Sequence, residues 1–452
     1  MLLSVNRLPP EIISSIARCV LDTRSIISLT HVCRYWRDSI ISSPDNWTLI
    51  FSERRHLAAL SLERAKAAPL TIHLNVDKLN RDPGFLDLLL PHAQNIIFLS
   101  VTSFLTIEEL TKTLPSLLES IPNLQSLTLA KSRRADWAQV IDPFDFSAHT
   151  LRDLSLHNIP LYHSFLSLRS LSKLRLVDYH FNLHLDTLLN FLEENHSLES
   201  VDLMIGFVEP PLRRSQRRNP IGNRLQHLSI SCNNTMDGRA LISSITLRRG
   251  GALEVYCDSG DLGLTDILSG VSLSHLPNLS SPTFMEYRSY QRRIRLLGQD
   301  GSFLFDDYSN SENPFQEFPL LPLDSIREFR LEHRALSIPT KLHLSSFPSL
   351  EVLAIDGGTY NSPLSIVFPG PTSPSSLKTL ALLDFGVTED FIAELTQFAS
   401  NRKSTASASL NRVVILNSSN GRLPSAASVE RLRKRAPVVE VMQGKKLPKD
   451  LS

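Results

Sequence analysis

Along most of this chain apolar residues return in one short pattern: an apolar residue, two positions of any kind, an apolar residue, one position, an apolar residue. It stands at Ile96, Leu99 and Val101, at Leu124, Leu127 and Leu129, and at Leu151, Leu154 and Leu156. It continues at Leu171, Leu174 and Leu176, at Leu198, Val201 and Leu203, and at Leu225, Leu228 and Ile230. Later copies are Ile326, Phe329 and Leu331; Leu350, Leu353 and Ile355; Leu377, Leu380 and Leu382; and Leu410, Val413 and Ile415. The second and third apolar positions alternate with polar ones, which predicts a short strand with one buried face. Up to Leu225 the copies begin 27 or 28 residues apart, with one interval of 20, and 27 returns between Leu350 and Leu377. Between copies the period changes to that of a helix, at Asp186 to Asn195 and at Thr388 to Ser400. Thr106 to Ser120 opens on Thr106-x-x-Glu109, a capping box.

Strand, return segment and a spacing of about 20–29 residues are the signature of leucine-rich repeats. No single unit buries its own apolar face, so stacked copies build the core. The fold class predicted is α/β: a short N-terminal helical module, then an irregular leucine-rich repeat solenoid with an inserted β-hairpin. The asparagine usual at the ninth repeat position is present at Asn233 but absent at Ser132, Tyr179 and Gly206, so the turns after the strands are read as irregular. The pattern blurs between Leu253 and Ile326. There Arg293 to Phe305 reads as a hairpin about Asp300-Gly301, either an inserted ribbon or a distorted repeat, and Ser309 to Pro322 as loop. Ser428 to Arg435 reads as a helix and Val438 to Met442 as a last strand capping the array, with Gly444 to Ser452 a tail.

The first fifty residues carry a different pattern. Leu8-Pro9-Pro10 opens a helix whose first turn tolerates proline, and Ile12, Ile13, Ile16 and Val20 follow at helical spacing. A second series runs Ile26, Leu29, Cys33, Trp36 and Ile40 until Ser43-Pro44 stops it. So small a core is completed by a partner or by the following chain. The organisation predicted is a helical module at 1–52, a linking helix at 53–68 and the repeat array at 69–452.

The residues Leu8-Pro9-Pro10-Glu11-Ile12-Ile13, Val32-Cys33-Arg34-Tyr35-Trp36-Arg37 and Ser43-Pro44-Asp45-Asn46-Trp47, in that order and spacing, resemble the F-box family. The likeness covers about residues 5–50 and is similar to the leucine-rich F-box proteins abundant in mushroom-forming fungi. Tyr35 stands where arginine is common, on a position read as exposed. The resemblance implies docking to a Skp-type adaptor and, through it, to a cullin. By matching position Leu8, Pro9, Ile12, Ile13, Ile16, Val32, Cys33 and Trp36 form the docking surface or support it. Trp36 and Trp47 suit either direct contact or the module's own core. Cys33 reads as a small packing residue.

Composition narrows the function further. A chain of 452 residues exceeds one compact core of about 250–300 residues. Lys plus Arg is 47 against 46 Asp plus Glu, so the basic footprint of a nucleic-acid binder is missing. Four cysteines without a C-x-x-C pair point away from zinc and toward an intracellular, reducing compartment, cytoplasmic or nuclear. No signal peptide or long apolar run predicts secretion or a membrane span, so the sequons at Asn46 and Asn233 read as chance. Phosphate-binding, zinc-protease and nucleophile-elbow motifs are absent, and the reading is a protein without catalytic, cofactor or metal residues. Two basic runs, Arg213 to Arg218 and Arg431 to Arg435, read as solvated surface, or alternatively as an import signal or acidic-partner patch.

The candidate target-binding face is the strand face turned from the core. Asp153, His157, Lys173, Arg175, Asp202, His227, Glu328 and Arg330 lie on it, mixed in charge, which suits an unknown protein target better than a phosphate backbone. The function predicted is that of a substrate-recognition adaptor in a Skp–cullin–F-box ubiquitin ligase. The alternative is a leucine-rich scaffold with no ligase role.

Overall fold

The structure, a computed structural model, describes residues 8–20, 22–79, 81–82, 84–103, 117–131, 150–159, 161, 163–178, 185–205, 224–232, 235–257, 264–268, 271, 276–288, 293–307, 318, 320–332, 344–356, 376–383, 389–404, 410–417 and 425–443. Two compact units divide at residues 209 and 210. Helices of eight or more residues are labelled here.

The first unit opens with α1 (Pro10–Arg18), α2 (Thr23–Thr30) and α3 (Arg34–Ser42), then a 3-10 turn at Pro44–Trp47. Each helix starts on a legible signal. Pro10 occupies the first helical position of α1. The Asp22 carboxylate accepts the Ser25 N–H at 2.9 Å, and Cys33 Sγ accepts the Trp36 N–H at 3.5 Å. Cys33 therefore acts as a helix cap, a role its reading as a packing residue did not include. Strand β1 (Leu49–Phe51) and helix α4 (Arg55–Ala65) follow. Ala58, Leu62 and Ala65 of α4 are buried, as are Ile13, Ala17, Ile26, Ile40 and Trp47. Trp47 is the pin of this small core. Its indole N–H donates to the Ile40 carbonyl at 3.1 Å, and the Arg64 guanidinium from α4 lies 4.3 Å from its ring centre.

From β1 the unit continues as a parallel sheet: β2 (Leu70–Asn75), β3 (Ile96–Ser103), β4 (Ser126–Lys131), β5 (Asp153–His157), β6 (Lys173–Asp178) and β7 (Ser200–Ile205). Each strand pairs with the next in chain order. The first strand stands at Leu49, ahead of residue 69, because three residues are too few to carry the apolar pattern. Register puts the pattern's second positions in one row, Leu99, Leu127, Leu154, Leu174 and Val201, and its third in another, Val101, Leu129, Leu156, Leu176 and Leu203. Both rows are buried. Burying one such side chain is worth about 1.5–3 kcal/mol. Helix α5 (Leu185–Glu194) buries Leu188, Leu189, Phe191 and Leu192, matching the helical period read over 186–195. Of the helix read at 106–120, residues 106–116 lie outside the described residues.

A second device ties the strands together. At several copies the polar residue just before the first leucine reaches back to a carbonyl of the preceding copy. Asn123 donates to Gln94 at 2.8 Å, Thr150 to Leu124 at 2.8 Å, Ser170 to Leu151 at 2.8 Å and Ser197 to Leu171 at 2.9 Å. In the second unit Ser376 does the same to Leu350 at 2.8 Å. Such bonds satisfy carbonyls at the sheet edge that a strand ladder leaves open.

The second unit contains β8 (His227–Cys232), α6 (Thr235–Ser244), β9 (Gly251–Cys257), β10 (Pro282–Arg288), β11 (Arg293–Gly298), β12 (Gly301–Asp307), β13 (Glu328–Glu332), β14 (Val352–Asp356), β15 (Thr379–Leu383), α7 (Glu389–Ser404), β16 (Arg412–Asn417), α8 (Ala426–Arg433) and β17 (Val438–Gln443). Sheet order is β8, β9, β12, β11, β10, β13 and then onward to β17. Among the described strands of this unit only β11 runs antiparallel to its neighbours. The hairpin read from the sequence is the antiparallel pair β11 and β12, and β10 joins it as a further strand to make a three-stranded ribbon. Its third strand, β10, carries Met285 and Tyr287 where leucines stand elsewhere, so the pattern is masked there. Gln299 and Asp300 form the tip between β11 and β12, with Gly301 after them rather than within the turn. Gly301 has φ +131°, and a Cβ there would lie 2.1 Å from the Gly251 carbonyl oxygen, so only glycine fits.

The apolar rows pass through the ribbon unbroken. One runs Leu228, Leu253, Phe303, Leu296, Met285, Phe329, Leu353, Leu380, Val413 and Val439. Phe318 meets Tyr287, Phe329 and Phe347 edge-on at 5.5–6.3 Å, filling the space behind the ribbon. Cys232 and Cys257 stand opposite each other, both buried. Most of the segment read as loop from Ser309 to Pro322, the residues Ser132, Tyr179, Gly206 and Asn233, the run Arg213 to Arg218 and the tail from Gly444 lie outside the described residues.

At the C-terminal end α7 clamps α8. The Glu389 carboxylate accepts the Ser425 N–H at 3.0 Å and the Ser428 hydroxyl, and Arg431 lies 3.9 Å away. The Ser428 hydroxyl bond foremost, then the Ser425 bonds, hold this carboxyl below the usual value of 4.5. A depressed folded pKa contributes stability that is present above the unfolded value and lost as pH falls through the folded one. Amide exchange of α8, corrected for intrinsic rates, is therefore expected to stay flat from neutral pH to about 4.5 and to quicken below it. Glu389→Gln should abolish that step, and an unchanged step in the variant would refute the assignment. The basic run at Arg431 to Arg435 begins on this helix and is partly neutralised, Arg433 standing 3.6 Å from Glu430.

Candidate functional site: an apolar N-terminal face and a polar strand face

The first candidate surface lies on the helical module. Ile12 and Ile16 sit one turn apart on α1 and are 46 % and 37 % exposed, whereas Ile13 between them is fully buried. The buried stripe of α1 is Ile13, Ser14 and Ala17. The single apolar series read through Ile12, Ile13, Ile16 and Val20 therefore splits into an inner stripe and an outer one. Ala17 is too small to announce the inner phase in sequence. Val32, in the turn before α3, is 55 % exposed, and Tyr35 and Ile41 are exposed on α3. Five of the eight large exposed apolar side chains among the described residues fall between 12 and 41. A soluble surface does not ordinarily concentrate them so.

The other residues assigned to this face divide cleanly. Pro9 is exposed and Leu8 half-buried. The Tyr35 hydroxyl donates to the Leu8 carbonyl at 3.0 Å, tying the start of α3 to the entry of α1. Cys33 is half-buried and caps α3, and Trp36 is buried, so both support the surface from beneath.

Residues 5–53 match the F-box-like domain family. The F-box-like module thus comprises α1 to α3, the 3-10 turn and β1, and α4 completes its core from outside the match. No curated protein matches the chain.

The second candidate surface is the strand face opposite the apolar rows. In the first unit Asp153 and Lys173 are register neighbours, and Arg175 pairs with Asp202 at 3.0 Å. Ser155 Oγ and His157 Nε2 stand 3.0 Å apart. Burial foremost, with Arg175 adding to it, holds the His157 imidazole below its usual 6.5. A serine beside a neutral histidine resembles half of a nucleophilic relay. Asp202, however, is engaged by Arg175, so among the described residues no carboxylate is placed to orient the ring for that chemistry.

In the second unit His227 on β8 stands 3.6 Å from Glu254 on β9, and Arg330 pairs with Glu328 at 2.8 Å on β13. Five strand spacings separate β8 from β13, roughly 24 Å at ~4.8 Å each. The residues assigned from sequence to this face therefore do not converge on one site within the unit. Sequence reasoning missed the ribbon's own contribution: Glu286, Arg288, Arg293, Arg295 and Asp306, which no leucine pattern flags. Past β13 the same face turns apolar, with Ala354, Ala381 and Val414 buried against one another.

A cleft of about 600 Å³ runs along one sheet edge of the first unit, lined by Gln94, Asn123, Gln125, Thr150, Arg152 and Ser197 among others. Asn123, Thr150 and Ser197 are the ladder donors already bonded to preceding copies, so the cleft reads as packing geometry. Among the described residues no group of three or more His, Cys, Asp or Glu could hold a metal ion. No helix there is long and apolar enough to cross a membrane.

Proposed function

We propose that this protein is a substrate-receptor subunit of a Skp–cullin–F-box ubiquitin ligase. In this reading the F-box-like module docks a Skp-type adaptor and through it a cullin. The strand-rich region is an irregular leucine-rich repeat solenoid whose polar strand face holds a target protein. The receptor performs no chemistry. It works by proximity, holding target lysines near a charged ubiquitin carrier, so that effective concentration replaces a catalytic group.

The observation that carries the reading is the crowding of exposed Ile12, Ile16, Val32, Tyr35 and Ile41 onto a module matching the F-box-like family. An apolar surface that the chain leaves uncovered is what an adaptor helix would bury. Support for the repeat reading is the register that aligns successive apolar positions in two continuous rows.

The test is a binding measurement between the full chain and a purified Skp-type adaptor, then assembly with a cullin. A 1:1 complex that recruits the cullin is the expected result. A folded chain that ignores the adaptor would discard the ligase reading and leave a repeat scaffold, held by its strand face alone.

A further inference from the structure

Around the inserted ribbon most charged side chains of the polar face are engaged with one another. Glu254 accepts the Tyr256 hydroxyl at 2.8 Å and stands near His227. Buried Asp306 takes Arg293. Arg288 lies 2.9 Å from Glu286 and 3.3 Å from Glu332, and Arg330 holds Glu328. In the middle of this set, on the central strand β11, Arg295 is exposed. Its cross-strand neighbours are Glu286, engaged by Arg288, and Leu304. Among the described residues it has no ion pair or side-chain hydrogen bond.

Its surroundings are apolar for a polar face. Leu304 lies opposite, Leu297 two residues along, and Phe284 opposite Leu297, all half-buried. Arg330 covers the Phe284 ring at 5.2 Å. A guanidinium is a rigid fork that matches a carboxylate with two parallel bonds, and arginine beside apolar surface is a common interface anchor. The one acid directly across from it, Glu286, is engaged by Arg288 at 2.9 Å, so Arg295 is left to meet a carboxylate brought by a partner.

We propose that Arg295, flanked by Leu297, Leu304 and Phe284, is an anchor for a target polypeptide that presents an Asp or Glu side chain beside an apolar one. This rests on the reading that the strand face holds a target. It adds the place and the chemistry: the contact is on the inserted ribbon, which the leucine pattern alone does not mark.

The experiment pans a displayed library of random nine-residue peptides against the full chain and measures the winners as synthetic peptides. Winners are expected to carry an acid next to an apolar residue. Arg295→Ala should weaken them at least tenfold, with circular dichroism unchanged. Arg295→Lys, which keeps charge but loses the fork, should fall between. Arg295→Glu should abolish binding, and exchanging the peptide's acid for lysine should restore it to that variant. Winners indifferent to Arg295→Ala but weakened by Lys173→Glu or Arg175→Glu would overturn the anchor and leave the strand-face reading standing. No winners, or winners indifferent to all of these variants, would overturn both.

Discussion

Replacing Trp47 by alanine is expected to unfold the helical module while leaving the distant strands intact. The indole is fully buried, bonded to the Ile40 carbonyl and covered by Arg64. Deleting a buried tryptophan side chain costs about 3–5 kcal/mol, from lost transfer energy and from the cavity left behind. A core built by so few residues rarely supplies more than ~3–5 kcal/mol in total. The two figures are equal, so little net stability remains. Hydrogen exchange should show protection lost across α1 to α4 and kept in β4 to β7. Full protection of α1 to α3 in the variant would mean that α4 and the sheet, not Trp47, hold the module. The native indole also explains why the last tryptophan of the motif comes directly before a strand. It locks the helices to the point where the sheet begins.

The second large effect separates surface from core within one helix turn. Ile12→Ser, Ile16→Ser and Val32→Ser combined should leave thermal stability nearly unchanged, since substitutions at exposed positions usually move it by about 0.5 kcal/mol or less each. Adaptor affinity should fall at least about 100-fold. Each apolar side chain buried at an interface is worth roughly 1.5–3 kcal/mol, and 1.4 kcal/mol is tenfold. Ile13→Ser, one residue away, should do the reverse and act first through folding, because its side chain is wholly inside. Calorimetric titration of both variants, with melting curves, decides this. Equal losses of stability in the two would show that the outer stripe is structural.

These paired outcomes mark where the sequence was legible. The apolar pattern correctly placed the buried rows from Leu99 to Val201 because Leu, Ile and Val recur there at fixed spacing. It faded at the ribbon because Phe303, Phe305, Met285 and Tyr287 fill the same rows with other shapes. Spacing could not tell Ile12 from Ile13, since helical periodicity gives a stripe but not which side of it meets the core. The backbone-bonding residues Asn123, Thr150, Ser197 and Ser376 were visible as a polar residue before each leucine. Their purpose depends on a carbonyl in the preceding copy, which only three dimensions supply. The strand face was legible as polar, but its partition into ion pairs, with Arg295 left over, required cross-strand register.

The path of the chain through the ribbon has a mechanical consequence. In a simple stack each strand touches only its predecessor and successor, so the ends can fray one copy at a time. Here the chain leaves β9, enters the sheet three places further on at β10, turns back through β11 to reach β12 beside β9, and then crosses to β13 on the far side. Stretched from its C-terminus, the second unit would give up β17 to β14 singly. β13, β10, β11, β12 and β9 would then release as one cooperative block, because β12 is stitched to both β11 and β9 while β13 leans on β10. The ribbon thus turns a zipper that opens tooth by tooth into one with a clasp near its middle.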